Sequence, residues 1–316
     1  MTTDPLPPCR EVSLDLAEPL AASATTAVSW LLVEHPGPWP AKAPRGVRWP
    51  DGLGDELEAV AKRAGVRVGL IRRPAASLRP GVAGDETWDE TRRETRVLFA
   101  HTGPDHARAH RLALGDPREL LDLDLTGLAA GQVPEPAEDP GRVFLVCTHG
   151  SRDACCALTG RAVAAALAAR FPTRTWECTH LGGHRFAPTM ACFPHGLMYG
   201  RLSPDDALEV AEAYREDRII PAFYRGRTCL TAPGQAAEAW LRARLDRWEI
   251  DAVRPVAERA LDDSIEVELA VTAGPTWRLQ VAGAPAAESR RISCRETEPE
   301  SPTTYRVIAA AHVAHS

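Results

Sequence analysis

A strand–helix–strand alternation that runs through twice constrains this chain more than any other feature. In the first pass AVSWLLVEH (27–35) reads as a buried strand and DELEAVAKRAG (55–65) as an amphipathic helix stopped by Gly65. VRVGLIR (66–72), TRVLFAH (95–101) and HRLALG (110–115) read as strands. DPRELLDL (116–123) is a short helix with Asp116 as its cap and Pro117 at its first position. After a Pro/Gly-rich linker, TGLAAGQVPEPAEDP (126–140), the order repeats. RVFLVC (142–147) is a strand, ACCALTGRAVAAALAARF (154–171) a helix apolar on almost every side, and TRTWEC (173–178) a strand. TMACFP (189–194) and LMYGRL (197–202) form a hairpin about His195-Gly196, and Ser203 caps a helix running through Ala213. The repeated β-α-β-β-β-α order predicts two thioredoxin-like units.

The tail changes character. A helical arm from Pro233 to about Asp246 gives way to SIEVELAV (264–271) and WRLQV (277–281), whose apolar residues alternate as in half-buried strands. TTYRVIA (303–309) adds a third strand. The expected architecture is α/β: an N-terminal half without ligands at 1–140, a thioredoxin-like domain at 141–248, and an antiparallel β extension at 249–316.

With 44% hydrophobic and 25% charged residues the composition is that of an ordinary globular protein. A net charge of −6 argues against a nucleic-acid footprint, which needs a basic patch. No apolar run approaches the roughly 18 residues that span a bilayer, so no membrane partner is expected. MTTDPLPPCR lacks the basic and apolar regions of a secretory signal, which makes the cytoplasm the expected compartment. There, eight cysteines point to metal binding or catalysis rather than to disulfides. Cys9, Cys192, Cys229 and Cys294 are scattered singly and read as small buried apolar residues.

CTHGSRDACC (147–156) and HLGGH (180–184) carry the chemistry. Cys147 ends a strand, and Cys155 and Cys156 open the next helix, whose partial positive charge favours a thiolate. The two glycines of HLGGH argue against a regular helix, leaving a loop that offers two imidazoles and exposed amides. Thiolates suit zinc, copper(I) or iron–sulfur clusters, and imidazole suits zinc and iron. A [2Fe–2S] cluster and a zinc-stabilised interaction module with the same two cysteines and two histidines are the competing readings. A Rieske arrangement fails because the second ligand box lacks its C-x-x-H spacing. A thiol–disulfide oxidoreductase fails because Cys155 and Cys156 are adjacent. Asp153 is expected to cap the helix, with Arg152 and Arg185 either ion-paired or serving as docking charges.

VCTHGSRDACCALTGRA, HLGGHRFAPTM and FPHGLMYGRLSPDDA together resemble the sucrase/ferredoxin-like family, strongly over 142–216 and loosely beyond. The resemblance implies a thioredoxin-like ferredoxin domain and a bis-histidinyl, non-Rieske [2Fe–2S] cluster. Carried over by position, its ligands are Cys147, Cys156, His180 and His184, with Cys155 an extra thiol that departs from the pattern. It implies an electron carrier served by a redox partner protein rather than a stand-alone catalyst. No pair of carboxylates placed for glycoside hydrolysis supports the first half of the family's name. Two neutral imidazoles in place of anionic thiolates imply a raised potential and a one-electron transfer coupled to a proton.

Overall fold

The computed structural model describes residues 6–50, 52–75, 94–132 and 137–313. Helix α1 (Cys9–Asp15) comes first and has no counterpart in the expectations above. Strand β1 (Ser29–Glu34) is buried at every position, and α2 (Leu53–Ala64) packs Leu57 and Ala61 inward before ending at Gly65, whose φ of 73° is left-handed. Strands β2 (Val66–Arg72), β3 (Thr95–His101) and β4 (Arg108–Leu114) follow. A 3-10 turn at Pro117–Leu121 carries the expected cap, with Asp116 accepting from Arg118 N–H and Glu119 reaching back to Asp116 N–H. The expected linker is partly regular. Helix α3 (Leu125–Ala129) occupies its start, capped by Asp124, and Glu138 bridges to Arg111, while residues 133–136 lie outside the described residues.

The second pass gives β5 (Val143–Cys147), α4 (Ala154–Arg170), β6 (Thr175–Cys178), β7 (Met190–Phe193), β8 (Leu197–Tyr199) and α5 (Pro204–Arg215). Ser203 and Asp206 close a reciprocal cap at the start of α5. Strand β9 (Tyr224–Arg227) then joins the sheet edge.

Nine strands form one mixed sheet in the order β4-β3-β1-β2-β6-β5-β7-β8-β9. Within each pass the first strand pairs parallel with the second and antiparallel with the third. The third pairs antiparallel with the fourth. The two units are thus the same four-strand arrangement laid back to back. Their seam is short: β2 and β6 pair antiparallel at Ile71 with Cys178 and at Arg72 with Glu177. This mixed α/β architecture is consistent with a thioredoxin-like fold. Parallel strands covered on both faces read as unbroken apolar runs, which is why LLV and VFLV are legible.

Helix α6 (Ala232–Leu245) supports a separate antiparallel sheet of β10 (Val253–Ala260), β11 (Ile265–Val271), β12 (Thr276–Pro285) and β13 (Thr303–His312). Ala237 and Leu241 of α6 pack on Val267, Leu269, Leu279 and Val281. At the root of α6, buried Glu238 accepts from Arg227 at 2.7 Å, Arg242 at 3.1 Å and the Tyr224 hydroxyl at 2.7 Å. A carboxylate so enclosed is stable only because its partners stay with it.

Gly160 decides how closely α4 lies on β5. A Cβ there would sit 2.2 Å from the Cys147 carbonyl oxygen, so backbone meets backbone. Gly160→Ala should therefore destabilise the fold by about 1–3 kcal/mol, although alanine in an ordinary helix interior stabilises by about 1 kcal/mol. Urea unfolding followed by circular dichroism reads the sign. A midpoint at or above the wild type's would contradict the close approach.

Candidate metal centre

Three turns of chain build the site. Cys147 closes β5 with its N–H on the Thr189 carbonyl at 3.1 Å, and Thr148 N–H reaches the Cys178 carbonyl at 3.2 Å. The Thr148 hydroxyl donates to Glu177 Oε2 at 2.9 Å, and Arg72 clamps the same oxygen from the other unit at 2.6 and 2.8 Å. Asp153 caps α4 as expected, accepting the Cys155 N–H at 3.0 Å.

Cys155 and Cys156 are adjacent on a helix, and therefore about 100° apart around its axis at 3.6 residues per turn. They face different groups. Cys156 is hydrogen-bonded to Cys147 through their thiols. Cys147 is drawn below the ordinary thiol range first by that bond and then by the amides of His149 and Leu181, against the cost of burial. Cys156 is raised by the same bond and by burial.

The HLGGH loop returns over these sulfurs. Gly182 and Gly183 have φ of 92° and 72°. A Cβ on Gly182 would meet Thr25 Oγ1 at 2.1 Å, and one on Gly183 would meet Arg225 Nη2 at 2.3 Å. Only glycine allows the chain to pass there. The His180 and His184 rings stack with centroids 4.0 Å apart, and His184 Nδ1 lies 3.7 Å from Cys156 Sγ. His180 Nδ1 accepts the Gly182 N–H at 3.3 Å. Burial holds His180 down to about 2, helped by the neighbouring His184. Burial likewise lowers His184 to about 4, opposed by Asp153. Burial thus favours the neutral ring, the state in which imidazole binds metal. Cys156 thus meets His184 beyond the ends of β5 and β6, with the half-buried His180 stacked on the His184 ring and Cys147 at the end of β5.

His149 escaped the sequence reading. Its Nδ1 accepts the His180 N–H at 3.3 Å, and its Nε2 faces the Pro40 carbonyl at 2.9 Å, so the ring fixes the HLGGH loop to the N-terminal unit. Arg185 is no docking charge, since it pairs with Glu18 at 2.9 Å, and Glu18 also takes Arg290 at 2.9 Å. Arg152 instead borders an open cleft of about 570 Å³ beside His149 and His180, where Lys42, Arg45, Lys62 and Arg67 also converge.

The expectation that Cys9 and Cys294 are isolated core thiols needs correction. Cys155 faces away from Cys156 to meet both: its sulfur lies 3.7 Å from that of Cys9 and 3.2 Å from that of Cys294, and those two are 3.5 Å apart. With Asp153 they form a group whose donor atoms all lie within 4.8 Å of one another, a possible metal site. Cys192 is buried in β7 as expected, and Cys229 is half-buried. The hint of the second group in the sequence was the doublet itself, because neighbouring thiols on a helix point about 100° apart.

No helix among the described residues is long and apolar enough to cross a membrane. No solved structure matches the chain. Among curated proteins it is similar to altered inheritance of mitochondria protein 32 of Meyerozyma guilliermondii, 32% identical over 95 residues. That stretch is 27% of this chain and 34% of the yeast protein, so the match spans about a third of the relative's length. The family model described as sucrase/ferredoxin-like matches residues 20–226, a span that takes in CTHGSRDACC and HLGGH but neither Cys9 nor Cys294, and the chain belongs to that family.

Proposed function

We propose that the protein is a one-electron carrier whose [2Fe–2S] cluster is held by Cys147, Cys156, His180 and His184. The observation that supports this reading is the approach of His184 Nδ1 to Cys156 Sγ at 3.7 Å, with the His180 ring stacked on that of His184. The residues fit the group. Cys147 is drawn below the ordinary thiol range by its hydrogen bonds, and burial disfavours the charged form of both rings. When bound, such a cluster supplies a one-electron couple, raised in potential by neutral imidazoles.

The chain's own residues hold the ligands and govern access. Gly182 and Gly183 let the loop pass between Thr25 and Arg225, and His149 fixes the position of His180. Half-exposed His180 borders the cleft, which gives a ring nitrogen not bound to metal a path to solvent protons and is the basis for proton coupling. Lys42, Lys62 and Arg152 at that cleft suit a redox partner that presents carboxylates, whereas Arg45 is already paired with Asp55 and Glu58. In this reading residues 141–248 carry the electron-transfer unit, 1–140 the ligand-free unit and 249–316 the covering sheet. A reducing compartment such as the cytoplasm suits eight unpaired thiols.

Protein purified with iron should be reddish-brown and contain acid-labile sulfide. A colourless preparation with one zinc at these four ligands would establish the interaction-module alternative instead. The midpoint potential should fall as pH rises through the histidine titration, by about 59 mV per pH unit for one proton per electron. In His180→Cys it should move toward the roughly −400 mV of all-cysteine clusters. A potential flat from pH 6 to 10 would remove the proton coupling.

The basic cleft makes a separate prediction. Charge reversal at Lys42 and Arg152 should slow reduction by anionic dithionite by roughly tenfold at low ionic strength, relative to reduction by a cationic viologen. Equal slowing by both reductants in stopped-flow traces would count against electrostatic docking there.

A further inference from the structure

We infer that Cys9, Cys155, Cys294 and Asp153 form a second metal site, a structural zinc site distinct from the proposed cluster. Zinc bound tetrahedrally with Zn–S distances of about 2.3 Å spaces its sulfurs about 3.8 Å apart. The three sulfurs here are separated by 3.2, 3.5 and 3.7 Å, already near the spacing of one ion's shell. Sulfurs on separate corners of a larger iron–sulfur cluster would stand farther apart.

The surroundings are those of a closed, built site. Cys9, Cys155 and Asp153 are buried, and Cys294 is the half-buried member. The Cys9 N–H points at the Cys294 sulfur at 3.4 Å. Asp153 holds the group together. Its Oδ1 accepts the Cys155 N–H, and its Oδ2 accepts from the Ser293 hydroxyl at 3.0 Å and the Cys294 N–H at 2.8 Å. Hydrogen bonds of this kind orient first-shell ligands and carry much of a metal site's affinity. The carboxylate stands within 4.8 Å of every sulfur and supplies an oxygen donor, which favours zinc over copper(I), an ion served by sulfur alone. Four protein donors with no open position make a structural rather than a catalytic site. Binding replaces the three thiol protons, which pass to solvent, and no electrons move.

The site joins parts of the chain that are otherwise remote. Cys9 comes from α1, Cys294 from the segment between β12 and β13, 285 residues later, and Cys155 from the first turn of α4. Zinc here fastens both terminal segments to the helix that bears Cys156.

The test is metal analysis of the full chain, purified anaerobically, as wild type, Cys9→Ser, Cys294→Ser and His180→Ala. The wild type should hold about one zinc besides its iron. Cys9→Ser and Cys294→Ser should retain less than about one tenth of that zinc while keeping iron and colour, and His180→Ala should lose iron while keeping zinc. If either cysteine variant misfolds, cobalt(II) added to metal-free His180→Ala and wild type gives the independent readout: thiolate-to-cobalt absorption of three sulfurs on one tetrahedral ion that survives in His180→Ala. Wild type that holds no zinc and shows no such absorption overturns the site. Copper in place of zinc overturns the assignment of the ion. A Cys155–Cys294 disulfide, seen as the loss of two hydrogens from the intact mass of reductant-free protein, overturns metal binding in favour of a thiol pair. Because iron and zinc are read separately, failure of this site leaves the electron-carrier reading untouched, and the reverse also holds.

Discussion

Backbone contact between α4 and β5 at Gly160 sets the geometry on which the rest of the centre depends. The Cys147 carbonyl lies where a side chain would otherwise be, so the helix rests directly on the strand end. That contact fixes how far the first turn of α4 stands from the sulfur at the end of β5. Asp153 then fixes where the turn begins, by capping it on one side and bonding Cys294 on the other. Interiors are packed like crystals, and a change of a few tenths of an ångström at such a contact is transmitted rather than absorbed.

The second constraint comes from the joined units. Only two residue pairs link β2 to β6, yet Glu177 at that seam is held by Arg72 from one unit and Thr148 from the other. Trp39 and Pro40 of the N-terminal unit supply carbonyls to Ser151 and His149. That unit therefore forms one wall of the site.

Local features were readable and long-range ones were not. The strands of both units, the caps at Asp116, Asp153 and Ser203, and the Gly65 stop follow from residue patterns spanning a few positions, and the structure reproduces them. Strand β10 went unread because VRPVAERA places charges and a proline where alternation would be sought, and seven of its eight positions are half-exposed or exposed, with Pro255 and Ala257 flanking an irregularity in pairing. Strand β9, YRGR, is buried through polar contacts, with Arg227 paired to Glu238 and Arg225 donating to Ser23 and the Gly182 carbonyl, so hydrophobicity carried no signal. The local spacing of CTHGSRDACC and HLGGH made two ligand pairs visible, whereas no spacing rule could relate Cys9 to Cys294.

Two sulfur groups hang from neighbouring residues of one stiff rod. Turning α4 about its axis to bring Cys156 closer to its partners would swing Cys155 away from its own, and the reverse. Whatever fills either side therefore sets the rotational phase that the other side sees, as one shaft drives two cams. The doublet makes the ends of the polypeptide and the proposed redox centre parts of a single mechanical linkage.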